Sequence, residues 1–391
     1  MTSAVINWAT KMSGRLPLAD WLPATMRGLA RRTARLLLLR HNARTMDRLI
    51  SGRCANLDDI ASFLSTQATP LSAPLVLISQ AQRSGGSLLN QLFDAHPALA
   101  AYPGELRFGY MVTDDWPPLD TRLGAEGNFR SLFDLKFYRL MRRGYVKGGG
   151  KILSEDGREL IDRSPERYRF LLVPRVQYLV FKELFKREPP ESQREILNHF
   201  FTSHFNAWLD YQGHLEDKRW ITSFAPRLAI EADASATFFD NYPDGRLIQI
   251  IRDPWSWYSS AKRHRRAVRH GTSSQELLEM WSVSAESMLR NKSRNGDGVI
   301  IVAFEDLIDR TEPIMRRLAR ELGIAYTSIL LEPTFNGRTI RANSSFATEE
   351  SGVIKAPLAC GEMLSGEERQ LIETHCLDLY ERVAAKALQV G

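Results

Sequence analysis

The stretch from Leu75 to Ala95 constrains the fold of this chain more than any other. Leu75-Val76-Leu77-Ile78 is a short aliphatic run bounded by turn signals, the pattern of a strand buried on both faces. Gln80 to Gly86 is a glycine-containing loop, and Ser87 to Ala95 reads as a helix that stops before His96-Pro97. Strand, tight loop and helix in that order open a parallel sheet. Two later runs repeat the pattern. Arg246 to Ile251 is followed by Arg252-Asp253-Pro254 and a helix to about Val268, and Gly298 to Phe304 by Glu305-Asp306-Leu307 and a helix to Leu322. Repeated strand-then-helix units predict an α/β fold with a P-loop-like parallel sheet flanked by helices.

Thr66 to Pro74, with Pro70 and Pro74, divides the chain into a basic helical extension over residues 1–70 and a main domain over 71–391. Within the main domain, the insertion from Arg107 to Gly213 is rich in aromatics and helical in pattern. An insertion of this length is where an α/β enzyme builds its acceptor site. In the extension, Met26 to Leu37 has helical periodicity, with Arg27, Arg31, Arg32 and Arg35 on one side and Met26, Leu29, Ala30, Leu36 and Leu37 on the other. Such a helix suits peripheral contact with an anionic membrane, docking on the protein body, or a transit peptide. Leu38 and Leu39 interrupt the stripe and weaken the membrane reading.

Charge and cysteine content narrow the function classes. Residues 1–70 hold ten Lys or Arg and four acids, so their excess equals the whole net charge of +6 and residues 71–391 balance. A nucleic-acid-binding surface on the body is therefore not expected. No apolar run approaches the ~18 residues of a bilayer-spanning helix, and the most apolar stretch, Phe170 to Phe185, is broken by Arg175, Gln177 and Lys182. Cys54, Cys360 and Cys376 are too few and too scattered for a disulfide framework or a zinc site. These features predict a cytoplasmic protein, with the inner face of a membrane as the alternative placement, and no metal.

Two segments carry chemistry. Gln82-Arg83-Ser84-Gly85-Gly86-Ser87 lies between a buried strand and a helix start, where backbone N–H groups and the helix dipole favour an anion. Arg83 offers a bidentate fork for phosphate oxygens and Ser87 a hydroxyl. The loop lacks the Lys-Ser or Lys-Thr of a Walker A motif, and a tight structural turn is the alternative explanation. Arg252 ends the second buried strand, and Ser260 lies eight residues on. Strand ends of open α/β sheets bind ligands, so this pair could grip one phosphate from two sides. Asp253 fits equally as a helix N-cap after a strand.

Together these segments resemble PAPS-dependent sulfotransferases of the bacterial type. Gln82 to Leu89 is similar to the family's Arg-Ser-Gly-x-Ser/Thr 5′-phosphosulfate loop, and Arg252 to Ser260 to its 3′-phosphate segment. His96-Pro97, Phe304-Glu305-Asp306-Leu307, Pro333 to Gly337 and Ala342 to Phe346 add to the likeness. The resemblance implies that Arg83, Ser84, Gly85, Gly86, Ser87 and Leu88 hold the 5′ end of the nucleotide. Arg252 and Ser260 would hold the 3′-phosphate, aided by Arg263 or His264. Arg338 and Arg341 would flank a C-terminal loop that closes over the nucleotide.

Members with this loop type often place a catalytic Glu after the first helix and the strand that follows it, so the resemblance implies Glu105 as the base that accepts the acceptor hydroxyl's proton; a Glu in the first turn of a helix is the plain alternative. His199, His204 and His214 are the other candidate bases. Phe224 stands where many relatives carry a Lys, so the cation at the transferring group would be Arg83, with Arg227 or Arg338 next. The implied reaction is sulfuryl transfer from PAPS to an acceptor hydroxyl. Trp116, Tyr138, Tyr168, Tyr178 and Trp208 in the insertion suggest a glycan or glycolipid. The rivals are a P-loop kinase-like nucleotide phosphotransferase and a non-catalytic membrane-surface binding protein.

Overall fold

A computed structural model describes residues 43–51, 55–106, 116–142, 144–147, 151–153, 159–161, 166–263, 271–340, 352–353 and 364–389. The helix expected over Met26 to Leu37, together with His264 and Arg341, lies outside them.

Five parallel strands form the central sheet in the order β2-β7-β1-β8-β9. They are β1 (Leu75–Ile78), β2 (Leu99–Glu105), β7 (Trp220–Phe224), β8 (Arg246–Ile251) and β9 (Val299–Ala303). All residues of β1 and β7 are buried, because helices cover both sheet faces. Alternation along each strand sorts its side chains into two cores. Leu75 and Leu77, Leu247 and Ile251, and Val299 and Ile301 enter one, while Val76 and Ile78, Ile248 and Ile250, and Ile300 and Val302 enter the other.

The second core is closed by α2 (Gly86–Phe93), α10 (Phe304–Asp309) and α11 (Thr311–Glu321). The single helix expected after β9 is two. Pro313 would clash with the carbonyl of Asp309 in a continuous helix, and it is tolerated instead in the first turn of α11.

The first core is larger and takes in the insertion: α3 (Gly124–Leu132), α4 (Leu135–Met141), α5 (Pro174–Arg187) and α6 (Gln193–Ala207). The insertion is less purely helical than its sequence pattern. β3 (Tyr145–Lys147) pairs antiparallel with β6 (Glu166–Tyr168), and β4 (Lys151–Leu153) with β5 (Glu159–Ile161). These strands are three residues long, too short for a period-2 signal to register.

Also on this side lie α7 (Ala232–Asn241), α8 (Pro254–Lys262), α9 (Ser274–Asn295) and α12 (Gly366–Ala384). A short hairpin pairs β10 (Thr334–Phe335) with β11 (Arg338–Thr339). The described part of the basic segment packs into this same core. Met46, Ile50 and, on α1 (Ala55–Gln67), Ala61 are buried. Arg175 of α5 ties both turns down, donating to Asp58 at 2.6 Å and to the Ile50 carbonyl at 2.6 Å.

Candidate active site

The chain leaves β1 through α2 on one face of the sheet, and β8 through α8 and α9 toward the other. Adjacent strands with diverging connections open a crevice at their C-terminal ends. The two chemistry-bearing segments lie there.

The loop after β1 is held from several sides. Ser79 N–H donates to the Ile248 carbonyl at 3.0 Å, Ala81 N–H to Ser284 Oγ at 2.9 Å, and Trp257 Nε1 to the Gln82 carbonyl at 2.9 Å. Arg83 has φ 74, left-handed for a non-glycine residue, and Gly85 has φ 91 as it caps α2. Strained backbone of this kind persists where the surroundings over-determine it. Gly86 is required by space: a Cβ there would sit 2.4 Å from both Gln80 Nε2 and the Phe224 ring. Gln80 lies beneath this turn, fully buried, with neither amide atom hydrogen-bonded among the described residues. Ser84 is buried, Ser87 and Leu88 half-buried in the first turn of α2.

Arg252 and Ser260 meet this loop directly. Arg83 Nε donates to Ser260 Oγ at 3.1 Å, and Arg252 Nη1 to the Arg83 carbonyl at 2.8 Å. Arg252 is 4% exposed, lies 4.4 Å over the Phe304 ring, and donates through Nε to Ser256 Oγ at 2.9 Å. Its backbone is fixed by Trp281 Nε1 on the Arg252 carbonyl at 3.0 Å. Asp253 caps α8, accepting from Ser256 N–H at 2.8 Å.

Glu305, which in the sequence is one residue of the Phe304-Glu305-Asp306-Leu307 run, joins this network. Its Oε1 accepts from Asp253 N–H at 3.1 Å, while burial and the adjacent Asp253 carboxylate push its pKa up to about 8. Only the folded sheet brings the C-terminal ends of β8 and β9 together, so spacing gave no signal for this pair.

Glu105 is the last residue of β2 rather than the start of a helix. It lies in register with Phe224 across a bulge, after Gly104 with φ 80, and Leu106 N–H donates to the Phe224 carbonyl at 2.7 Å. It therefore sits on the same rim of the sheet as the loop, two strands from β1. Phe224 itself is buried against Gly86 and forms an apolar floor under the loop. Arg227 is tethered close by, its N–H donating to the Gln80 carbonyl at 3.1 Å.

Other candidates lie elsewhere. Arg338 is on the hairpin, which Asp94 at the far end of α2 anchors through Thr334 Oγ1 and Gly337 N–H, both at 2.9 Å. An eight-residue helix puts that end ~12 Å from the loop. Arg263 is exposed at the end of α8. His204 is enclosed by Tyr102, Phe170, Phe200, Phe205 and Trp208, and burial pushes its pKa down to about 3. His199 Nε2 is engaged by the Glu188 carbonyl at 2.7 Å, and His214 is exposed in a loop. Trp208 and Tyr178, 2% and 8% exposed, are core residues, and Tyr168 packs against Tyr145 and Phe335.

The fold and site define a parallel α/β protein with a glycine-containing strand-to-helix loop at the switch point of its sheet. Residues 154–328, which hold Arg252 and Ser260, match the sulfotransferase family model. The chain is similar to the sulfotransferase domain of the Synechococcus PCC 7002 olefin synthase, at 16% identity and TM-score 0.48, over 83% of this chain and 99% of that one. It is similar also to the sulfotransferase domain of the curacin biosynthetic pathway (14%, 0.43, over 78% and 98%). A sulfotransferase from Alicyclobacillus acidocaldarius is a further similar structure (11%, 0.36, over 80% and 94%). Among curated proteins none matches this sequence.

Proposed function

We propose that this protein transfers a sulfuryl group from PAPS to an acceptor hydroxyl. The observation that carries the reading is the convergence of Arg83, Arg252 and Ser260 from segments distant in sequence. A nucleotide phosphorylated at both ends of its ribose needs two anion sites of this kind. The left-handed turn at Gly85 and the absence of a side chain at Gly86 let backbone N–H groups of the α2 start approach the 5′ end. Buried Arg252 and Ser260 suit the 3′-phosphate, where a charge-assisted hydrogen bond is strong.

In the reaction, the acceptor oxygen attacks sulfur in line with the bond to the 5′-phosphate oxygen. That bond breaks, adenosine 3′,5′-bisphosphate leaves, and the acceptor's proton passes to Glu105. Arg83 stabilises the charge that builds on the transferring group, and positioning and electrostatics supply the rate, as in phosphoryl transfer. The acceptor belongs to the hydroxyl class, and a glycan or glycolipid is its working form. The decisive experiment is calorimetry with adenosine 3′,5′-bisphosphate and ADP. Much tighter binding of the bisphosphate is expected, and equal affinities would overturn the two-phosphate assignment.

A further inference from the structure

The C-terminal helix α12 lies beyond the residues that match the family, yet one of its side chains grips the helix carrying Ser260. Glu368 Oε1 accepts from Lys262 Nζ at 2.5 Å and from Tyr258 Oη at 3.3 Å. Tyr258 Oη also lies 2.7 Å from Ser274 Oγ at the start of α9. The other oxygen, Oε2, accepts from Ser365 N–H at 3.1 Å, while Glu368 N–H donates to Ser365 Oγ at 3.2 Å, a capping box that starts α12. A single carboxylate thus sets the beginning of α12 and holds it to α8.

Tyr258 and Lys262 are four residues apart and share one face of α8. Ser260, two residues past Tyr258, is turned ~200° round the helix, toward the loop, where Arg83 Nε reaches it at 3.1 Å. The grip is therefore a backing contact. It holds α8 from behind on the side opposite the one that meets the nucleotide loop. Tyr258 is 1% exposed and Glu368 lies largely covered, so the contact is ordered by packing as well as by charge.

We infer that Glu368 is a positioning residue for the 3′-phosphate site, through which the C-terminal helix holds Ser260 against the nucleotide loop. This rests on the proposed function, since it takes Ser260 as a phosphate ligand. The test is calorimetry on the full chain with adenosine 3′,5′-bisphosphate and with AMP, which lacks the 3′-phosphate. Glu368→Ala is expected to weaken bisphosphate binding about fivefold or more, the scale of a coupling between linked sites, with AMP affinity unchanged. Tyr258→Phe added to Glu368→Ala should cost less than the sum of the two single changes, because the Tyr258–Glu368 contact is lost in either one. Glu368→Gln, which still accepts from Tyr258, should fall between, and it carries the comparison if the alanine variant does not fold.

Parallel loss of both affinities with the melting temperature would reduce Glu368 to a structural role and overturn the inference, as would an unchanged bisphosphate affinity. Wild-type protein binding AMP and bisphosphate equally would instead overturn the two-phosphate reading, and the inference with it.

Discussion

Arg83 Nε donates to Ser260 Oγ at 3.1 Å across 177 positions of sequence, so the loop after β1 and the helix after β8 form one site. Either segment alone is a strand-to-helix turn of a common kind. Joined, with Arg252 also holding the Arg83 carbonyl at 2.8 Å, they bring two arginines and a serine hydroxyl to one place.

Arg252→Ala should flatten the preference for bisphosphate over ADP, whereas Arg83→Ala should weaken both. Losing one charge-assisted anchor should cost on the order of 2 kcal/mol. Competition calorimetry on the two variants separates these outcomes. An Arg252→Ala protein with an intact preference would remove Arg252 from the 3′ site.

Glu105→Gln keeps the size of the side chain and removes its capacity to take a proton. Single-turnover rates should drop by roughly 10²–10⁴-fold, with bisphosphate affinity and melting temperature near wild type. Since Glu105 ends a strand, it gains no stability from a helix dipole, and a normal rate in this variant would leave it without a role in catalysis.

Gly86→Ala places a Cβ 2.4 Å from the Phe224 ring, and Gly85→Ala places one 2.7 Å from Phe304 while also straining a φ of 91. Each should destabilise the protein by about 1–3 kcal/mol. Both should cut nucleotide binding, because the loop must shift to relieve the clash. Urea titration of the two variants beside wild type measures the cost.

Two buried groups pull stability in opposite directions with pH. His204 has a native pKa of about 3, lowered by burial, so its contribution is present above pH 6.5 and is lost as pH falls toward 3. Glu305 has a native pKa of about 8, raised by burial, so its contribution is full below pH 4.5 and is lost as pH rises through 8. His204→Phe should therefore remove the loss of stability between pH 6.5 and 3, and Glu305→Gln the loss between pH 4.5 and 8. Each slope is at most about 1.4 kcal/mol per pH unit for one proton. Denaturation curves from pH 4 to 9 that keep the wild-type shape in both variants would contradict this.

We propose that residues 26–37 make peripheral membrane contact through their arginine stripe. Removing residues 1–42 leaves the buried Met46 and Ile50 in place. It should abolish sedimentation with anionic vesicles at low salt while leaving bisphosphate affinity intact. Full-length protein that ignores such vesicles would refute the membrane contact.

The amino-acid sequence by itself determined the elements that depend on local pattern. β1 and β8 announce themselves as aliphatic runs, the loop at Arg83 to Ser87 by its glycines after a strand, and Asp253 as a cap by its place before Pro254. Short-range sterics and period decide such features, so a linear reading finds them. Other features were decided only by the tertiary structure. The short hairpins of the insertion, the burial of Trp208 and Tyr178, and the ending of β2 at Glu105 all follow from long-range packing. So do the meeting of Glu305 with Asp253 and the grip of Glu368 on α8. These contacts join residues that share no local pattern. They exist because the sheet order sets β8 between β1 and β9 and lays α12 against α8, and no spacing along the chain encodes that adjacency.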